Sequence, residues 1–425
     1  MAIDPHHPDF LSAKSVSAFP SSRTEALAQL DAFIPRAGRY ANDRNHVVPG
    51  HTNVSKLSPA IRHRLVLESE CAAAPLRSYA ASTVEKFTQE VYWHRYWKAW
   101  LSLRPQVWSD YVDQLAVLQT DPTCGAIRDR AALCEAGKGP IAIMNHFARE
   151  LIETGYLHNH ARMWFAGWWI HVERLPWQLG ANFFFRHLLD GDPASNTLSW
   201  RWVAGLQTPG KTYLPRRSNL EKYLPTETLD TNCAGRELLE NPEALILPFE
   251  ARPEITRPSL EQDLPAGSLH DGQVGVWIHE EDLFVEHGPL AAIKPAAVLA
   301  TGDTASWARF RYPEHKIDWL RTALSDAAQR AESAFGVKAV LQSDAPVVET
   351  LLRWATEHQV RQIVALRPEI GPLHDQLRNL HAALAGIGVD LVLLDRPEDV
   401  ALRPLATGGF FGFWERMQKS LRARS

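Results

Sequence analysis

The sequence predicts an α plus α/β fold, with an all-helical domain followed by a parallel α/β domain. A chain of 425 residues is long for a single hydrophobic core, so two domains are expected. In the first part, segments such as VEKFTQEVYWHRYWKAWL and FARELIETGYL repeat apolar residues at spacings of three and four, which is typical of helices. After about residue 242, short apolar runs of strand type alternate with helical segments.

The helical domain is predicted to cover residues 1–225. Ten of the fifteen tryptophans fall in it, and its segments show little of the alternation expected of strands. The polar stretch PTETLDTNCAGRELLENPEA then predicts a linker, which is placed at residues 226–241.

The α/β domain is predicted to cover residues 242–402. The runs of strand type are ALILPFE, GVWIHEEDLFV, AAVLATG, KAVLQSD, VRQIVALR and VDLVLLDR. Because PVVETLLRWATEHQ and LHDQLRNLHAALAGIG read as helices between such runs, we expect a Rossmann-like parallel sheet with helices on both faces. No GxGxxG follows the first strand. Residues 403–425 end in GGFFGFWERMQKSLRARS, predicted to be an aromatic helix with a basic end that docks through its Phe and Trp side chains.

Composition narrows the class of protein. No apolar run approaches the roughly 18 residues of a membrane span, and the N-terminal residues lack the pattern of a signal peptide, so a cytoplasmic protein is expected. The four cysteines show no CxxC spacing and the histidine pairs lack carboxylate partners, so no metal is predicted. Residues 1–225 carry a net charge of about +5 and the remainder about −9. The basic first part is compatible with a polyanionic partner or with an ordinary solvated surface.

Three helical segments each place polar and aromatic side chains on one face. These sets are Asp192, Asn196 and Trp200; Asn159, Arg162 and Met163; and Glu90, Trp93 and His94. Spacings of three and four align the members of each set. Any one set alone is more simply a capped helix with a packed indole, but three converging faces predict a pocket for a large planar polar ligand.

A fourth segment, NVSKLSP, predicts an anion site. Ser55 and Ser58 precede the helical run AIRHRLVL, so their hydroxyls and free backbone N–H groups lie at a helix N-terminus. Phosphate or pyrophosphate suits this place, and a serine N-cap without a ligand explains the pattern equally well.

These segments resemble the FAD-binding domain of the DNA photolyase/cryptochrome family. The resemblance rests on SKLSPAIRHRL, EVYWHRYW, TGYLHNHARM and HLLDGDPASNTLSWRW, which occur in the order of that family. It implies a bound FAD held by Tyr40, Ser55, Lys56, Leu57, Ser58, His94, Arg162, Asp190, Asp192 and Asn196. In this implied site the phosphates lie on the Ser55–Ser58 loop, Arg162 and Asp190 form an ion pair, Asp192 bonds the flavin ring, and Asn196 faces flavin N5.

The resemblance also implies a reaction, the light-driven repair of cyclobutane pyrimidine dimers in UV-damaged DNA. Asn196 matches repair members, and Asn159 with Met163 stands where enzymes for the six-four photoproduct carry two histidines. Glu90 matches the acid that bonds the dimer's carbonyl edge. Trp93 and Trp202 match the two indoles that hold a flipped-out dimer.

Several positions depart from the family pattern. Val54 replaces a threonine before the phosphate loop, and His94 replaces an arginine. In the electron-relay triad, Trp200 and Trp177 match the first two positions, but Leu133 stands at the third. Trp168 and Trp169 are the candidates to complete the relay.

The order of the two domains is also unusual. In typical members an α/β antenna domain precedes the FAD domain, whereas here an α/β segment follows it, so a circularly permuted photolyase architecture is predicted. An antenna chromophore is left unknown. A monomer is expected, and the candidate contacts to DNA phosphates are Lys211, Arg216, Arg217 and Lys222. Two other functions stay open: a blue-light sensory flavoprotein of the cryptochrome kind without repair, and a helical DNA-binding module without flavin.

Overall fold

The first part of the protein is built from helices. The computed structural model describes residues 19–208, 211–248, 253–256 and 272–422. The helices of the first part are α1 (Arg23–Ala37), α2 (Tyr40–Asp43), α3 (Ser58–Arg62), α4 (Glu68–Ala73), α5 (Ala81–Ser102), α6 (Gln106–Thr120), α7 (Gly125–Glu135), α8 (Ala142–Thr154), α9 (Asn159–Gly167), α10 (Trp177–His187), α11 (Pro193–Val203), α12 (Arg217–Tyr223) and α13 (Thr226–Thr231). No strand interrupts them within residues 19–208 and 211–248. The helix α13 falls inside the predicted linker.

The second part is a parallel sheet with helices. Its elements are β1 (Val274–His279), β2 (Ala297–Thr301), α14 (Thr304–Arg309), α15 (Glu314–Phe335), β3 (Ala339–Gln342), α16 (Val347–Glu357), β4 (Gln362–Leu366), α17 (Pro372–Ala385), β5 (Asp390–Leu394), α18 (Pro397–Leu402) and α19 (Phe410–Arg422). The strands pair in the order β3-β2-β1-β4-β5 and every pair is parallel. The prediction of a mostly helical chain that also contains a parallel sheet is therefore confirmed.

One predicted strand is absent. Residues 244–248 of the run ALILPFE form no strand, and residues 249 and 250 lie outside the described residues. Leu245 and Leu247 instead pack against the helical core, and the Leu245 backbone N–H donates to His171 Nδ1 at 3.1 Å. Leu245 and Leu247 are thus partly covered by the helical part, while Ile246 between them is exposed.

The sheet shares its core with the helical part. One face, which carries Val274, Val276 and Ile278 of β1, packs with α15 and with α1 side chains such as Leu30 and Phe33. The opposite face, which carries Trp277, packs on α16 and α17. This face of the sheet and the helical part therefore share one apolar core, from which water is excluded.

The helix α19 docks on the helical part. Phe410, Phe413, Trp414 and Met417 are buried in the same apolar cluster as residues of α5 and α10. Among the described residues, no helix is long and apolar enough to span a membrane.

Candidate functional site

The site is organised by a sharp turn between α10 and α11. The helix α10 ends at His187, and α11 begins after Asp192, whose Oδ1 accepts from the backbone N–H groups of Ala194 and Ser195 at 3.0 and 2.8 Å. A carboxylate cap followed by a proline at the first helical position is a strong start signal for a helix. The cap holds Asp190 and Asp192 on the turn and directs Asn196 along the next helix.

Asp190 pairs with Arg162, the residue that the family resemblance implies. Arg162 Nη2 donates to Asp190 Oδ2 at 2.9 Å, and Arg162 Nε donates to the Leu157 carbonyl at 2.7 Å. The second oxygen, Asp190 Oδ1, is buried and accepts no hydrogen bond from a described residue. A buried carboxylate oxygen without a donor is unusual in a folded protein, and a ligand can supply that donor.

Asp192 lies among cations that are not among the predicted site residues. Its Oδ2 is 3.0 Å from Lys98 Nζ and 3.3 Å from Arg62 Nε. Burial raises the pKa of Asp192, but Lys98 and Arg62 outweigh burial and hold the pKa well below its ordinary value. Lys98 lies four residues after His94 on α5, so a signal was present in the helical spacing. Asp192 Oδ1 thus accepts two backbone hydrogen bonds, whereas Oδ2 has ion-pair partners but no hydrogen bond from a described residue. The implied contact of Asp192 with the flavin ring stays a prediction.

His94 stands between two carboxylates, where the family carries an arginine. Its Nδ1 is 3.3 Å from Glu68 Oε1, and its Nε2 is 3.6 Å from Asp192 Oδ2. The charge in this place comes instead from Lys98 and Arg62. The substitution of histidine is therefore accompanied by two other cations close to the same aspartate.

Asn196 is nearly buried on α11. Its Nδ2 donates to the Ala181 carbonyl of α10 at 2.8 Å, which fixes the orientation of the amide. A neutral amide held in this way adds no negative charge to its surroundings. The structure shows the orientation, and the role of Asn196 beside flavin N5 stays a prediction.

The predicted phosphate loop is held by α1. Gln29 Nε2 donates to the Ser55 carbonyl at 2.8 Å, and Leu57 is buried while Ser55, Lys56 and Ser58 are partly exposed. Tyr40 lies edge-on to Phe87, with ring centroids 5.4 Å apart.

The helix that follows this loop is shorter than expected. The run AIRHRLVL was predicted to be helical, but α3 ends at Arg62, and Arg64 has a left-handed φ of 55°. The His63 carbonyl accepts from the Leu283 backbone N–H at 3.0 Å, and the Leu65 carbonyl accepts from Arg23 Nη1 at 2.8 Å. These partners outside the helix replace the bonds that a longer helix would make. The helix that begins at Ser58 is therefore only about one turn long.

Three residues of α5 and α11 are predicted to contact the lesion. Two of them, Trp93 and Glu90, already contact other side chains of the protein. Trp93 stacks on Phe410 of α19, with centroids 4.0 Å apart and planes 10° apart. Trp202 is partly exposed beside Tyr213, at 5.9 Å. Glu90 is held by Arg44, whose Nη1 is 2.8 Å from Glu90 Oε1. Burial raises the pKa of Glu90 and outweighs the opposing charge of Arg44.

The remaining lesion-pocket residues lie on the first turns of α9. Asn159 is exposed at the first position of α9, and Met163 is partly buried one turn later. The exposed amide is free to meet a ligand that approaches from solvent, as the predicted lesion contact requires.

The tryptophans of the predicted relay belong to two aromatic groups. Trp200 lies 6.3 Å from Trp169 and perpendicular to it, whereas Trp177 stacks on Tyr111 at 5.5 Å. Trp168 is fully buried and donates from Nε1 to Glu173 at 3.0 Å. Leu133 is exposed and provides no ring. Of the two candidates for completing the relay, Trp169 is the one in ring contact with Trp200.

A glycine in α10 makes this contact possible, and its replacement is a testable change. A Cβ at Gly180 would lie 2.3 Å from Trp200 Cη2 and 3.1 Å from Trp169 Cδ2. We expect Gly180→Ala to lower the free energy of unfolding by about 1–3 kcal/mol, because overpacking outweighs the better helix propensity of alanine. Urea unfolding measures the change. In Gly125→Ala, where the nearest atom is 3.9 Å away, stability should hold or rise, and equal stability of the two variants would contradict the predicted clash.

The predicted DNA-contacting cations differ in their surroundings. Lys211, Arg216 and Lys222 are exposed. Arg217 pairs with Glu221 at 2.7 Å and with Glu240 at 2.6 Å. Within the described part of the chain, no three His, Cys, Asp or Glu side chains form a candidate metal site.

The residues fit the cofactor that the sequence implies. Besides Asp190 Oδ1, the buried atoms His51 Nδ1 and Asn53 Oδ1 find no hydrogen-bond partner among the residues described. His51 and Asn53 precede the predicted phosphate loop in the chain, and Asp190 pairs with Arg162, another residue of the predicted site. FAD carries hydroxyl, phosphate and ring N–H groups that would satisfy such atoms.

Part of the chain matches a known protein family in sequence. Residues 87–230 match the family described as "FAD binding domain of DNA photolyase". The deoxyribodipyrimidine photo-lyase of Escherichia coli is 27% identical over 46% of this chain and 42% of its own length. A cryptochrome DASH of Ostreococcus tauri, named chloroplastic/mitochondrial, is 27% identical over 62% of this chain and 49% of its own length. A bacterial class III photolyase structure from Agrobacterium tumefaciens is 22% identical, with a TM-score of 0.42, over 57% of this chain and 56% of its own.

The chain thus spans about half or less of the length of these curated relatives. Both repair enzymes and cryptochromes are among them, so the similarity does not separate the two functions. The matched segment is the FAD-binding domain, which supports FAD as the cofactor.

Proposed function

We propose that this chain is a light-driven enzyme that splits cyclobutane pyrimidine dimers in UV-damaged DNA, a proposal supported by the match of residues 87–230 to the FAD-binding domain of DNA photolyase. In the proposed reaction the chain acts as a monomer in the cytoplasm and binds a dimer flipped out of the duplex. Flipping is necessary because a stacked lesion cannot reach a buried cofactor.

The observation that carries the proposal is the burial of Glu90 beside Arg44. Burial raises the pKa of Glu90, and a carboxyl group that takes up a proton can donate a hydrogen bond to a carbonyl oxygen of the dimer. Such a donor stabilises negative charge as it develops on the dimer. A bound dimer would either displace Arg44 from Glu90 or contact the Arg44–Glu90 ion pair from the side.

The other residues of the chain bind and orient. Arg162 with Asp190, and the Ser55–Ser58 loop, would hold FAD, and Asn196 would face its ring without adding charge. Trp93 and Trp202 would stack on the flipped bases, since aromatic faces accept any base. FAD, once bound and reduced, supplies the electron after it absorbs light.

A direct assay tests the proposal. The reduced protein is incubated under blue light with dimer-containing single- and double-stranded DNA, and intact dimers are counted. Light-dependent loss of dimers is expected, with no loss in darkness. Retention of all dimers in both substrates by a protein that carries FAD would overturn the repair function and leave the flavoprotein assignment in place.

One observation favours the sensory alternative. Phe410 covers one face of Trp93, and the usual third relay tryptophan is replaced by the exposed Leu133. A protein that binds FAD and responds to light through a partner would need neither an open indole face nor a lesion acid. The same assay decides between the two, because a sensor changes its absorption in blue light without removing dimers.

We propose further that the α/β part is a circularly permuted antenna domain. The supporting features are the segments GVWIHEEDL and LVLLDRP, which resemble a first and a late strand of such a domain, and the segment TGGFFGFWERM, which resembles its exit. Fusing residues 272–422 ahead of residues 19–248 by a flexible linker should give a folded, flavin-binding protein. An insoluble product from both this order and a second linker length would count against permutation.

A further inference from the structure

Three basic side chains hold the backbone of the turn that carries Asp190 and Asp192. Lys316 Nζ donates to the Phe185 carbonyl at 2.7 Å, and Arg62 Nε donates to the Gly191 carbonyl at 3.3 Å. His63 Nε2 lies 3.3 Å from the Leu189 carbonyl. These carbonyls lie at the end of α10 and in the turn, so the three side chains fix the path of the chain through the site.

One of these contacts comes from the α/β part, and a second is held by a residue of that part. Lys316 belongs to α15, is 1% exposed, and places its Nζ 3.6 Å from the Tyr312 ring centroid. Glu281, directly after β1, accepts from both terminal nitrogens of Arg62 at 2.7 and 2.6 Å. A bidentate pair of this kind fixes the plane of the guanidinium as well as its position. Arg62 is thereby held where it reaches both Gly191 and Asp192.

The close approach depends on Gly191. A Cβ at this position would lie 2.9 Å from the Phe185 carbonyl oxygen and 3.2 Å from Lys316 Nζ. The absence of a side chain therefore allows Lys316 to reach the end of α10. The Lys316 ammonium, the Arg62 guanidinium and the turn are therefore closely packed.

The contacts also link the segment after the Ser55–Ser58 loop to the turn. Arg62 ends α3, four residues after Ser58, and reaches Gly191 and Asp192. Glu281 holds Arg62, and Lys316 holds the end of α10, so residues of the α/β part support both. Removing Glu281 would leave the buried Arg62 with one carboxylate fewer, and removing Lys316 would leave the Phe185 carbonyl without this donor, and both changes are costly in a dry interior.

We propose that Lys316 and Glu281 are positioning residues of the flavin site, which hold the Asp190–Asp192 turn in the shape that binds FAD. They act through Phe185 and Arg62 and need not contact the cofactor. The inference rests on FAD binding by this chain and is independent of whether a lesion is repaired.

The test compares FAD binding by variants of the full chain. Lys316→Met removes the charge with little change in length, and Glu281→Gln removes the charge with no change in shape. We expect each to raise the FAD dissociation constant about 10-fold or more, the size typical of groups that act through a ligand-contacting residue. We also expect the fine structure of the blue flavin absorption band to weaken, because the ring is held less firmly.

Matched variants separate positioning from folding. Glu281→Asp keeps the charge and should restore the FAD dissociation constant to within about threefold of the wild type. Glu286→Gln, an acid of similar burial paired with Arg330 inside the α/β part, should leave affinity and spectrum unchanged. Thermal unfolding of the apoproteins identifies any variant that does not fold. If Lys316→Met is unfolded, Glu281→Gln carries the test by itself.

The outcomes are distinct. Wild-type affinity and an unchanged flavin spectrum in folded Glu281→Gln would overturn the positioning role, and the flavin site would stand. A wild-type protein that takes up no FAD from solution would overturn the flavin site and this inference together. Weakened binding in both variants, with rescue by Glu281→Asp, would support the inference.

Discussion

Replacing Asp190 with asparagine is expected to remove most of the bound flavin. Asp190 Oδ2 is 2.9 Å from Arg162 Nη2, and the pair is largely buried. In Asp190→Asn the guanidinium loses its countercharge, and a buried ionic group without its partner costs about 3–5 kcal/mol. Part of this cost appears as weaker binding, so we expect the FAD dissociation constant to rise about 100-fold, which corresponds to roughly 2.7 kcal/mol.

The measurement is the titration of apoprotein with FAD, followed by quenching of flavin fluorescence. Asp43→Asn is the matched control, because Asp43 pairs with the exposed Arg39 and surface pairs contribute little. Asp43→Asn should bind FAD like the wild type. Similar affinities of the wild type and Asp190→Asn would show that the Arg162–Asp190 pair does not support the flavin site.

Replacing Glu90 with glutamine is expected to impair repair while leaving the flavin in place. Glutamine has nearly the same shape but cannot act as a protonated acid, and removing one group that stabilises developing negative charge commonly costs about 100-fold in rate. Glu90 bonds Arg44 and lies near Lys86, and neither of these is among the residues predicted to hold FAD. We therefore expect the yield of dimer splitting to fall about 10- to 100-fold, with unchanged FAD content.

The control for this experiment lies on the same helix. Glu85 is exposed on α5, so Glu85→Gln makes the same chemical change away from the predicted pocket and should repair like the wild type. Photoreduction of the bound flavin is recorded for each variant. Full repair by Glu90→Gln would remove the acid from the mechanism. Loss of photoreduction together with repair would point to a damaged flavin site instead.

The structure changes how the predicted site is understood. The sequence alone treats Asp192 as a flavin contact and His94 as a weakened one. The structure gives Asp192 two roles, as the cap of α11 and as the partner of Lys98 and Arg62. A carboxylate that neutralises two buried cations keeps the charge of the site balanced whether or not it also bonds the ring.

The structure also adds a contact to the predicted lesion pocket. Trp93 is one of the two indoles implied to hold a dimer, but its ring is already stacked on Phe410. The stack covers one face of the indole and fixes its orientation. Phe410 lies 317 positions later in the chain, so no local pattern in EVYWHRYW could have revealed it.

Local sequence patterns determined the elements of the fold. Apolar spacings of three and four identified helices such as α5 and α8, and short apolar runs identified all five described strands, because these patterns report which face of a segment is buried. The run ALILPFE forms no strand in its described residues, because apolar composition by itself does not say which surface a segment meets.

Family motifs in the sequence also determined the cofactor, and they named the residues of the implied site. What only the tertiary structure decided is how that site is held. Arg62 meets Glu281 across 219 positions of sequence, and Lys316 meets the Phe185 carbonyl across 131. Such contacts depend on how the two parts pack, and residue spacing carries no signal for them. The residues implied to bind FAD lie in local motifs of the helical part, whereas the contacts of Arg62 and Phe185 with the α/β part exist only in the folded chain.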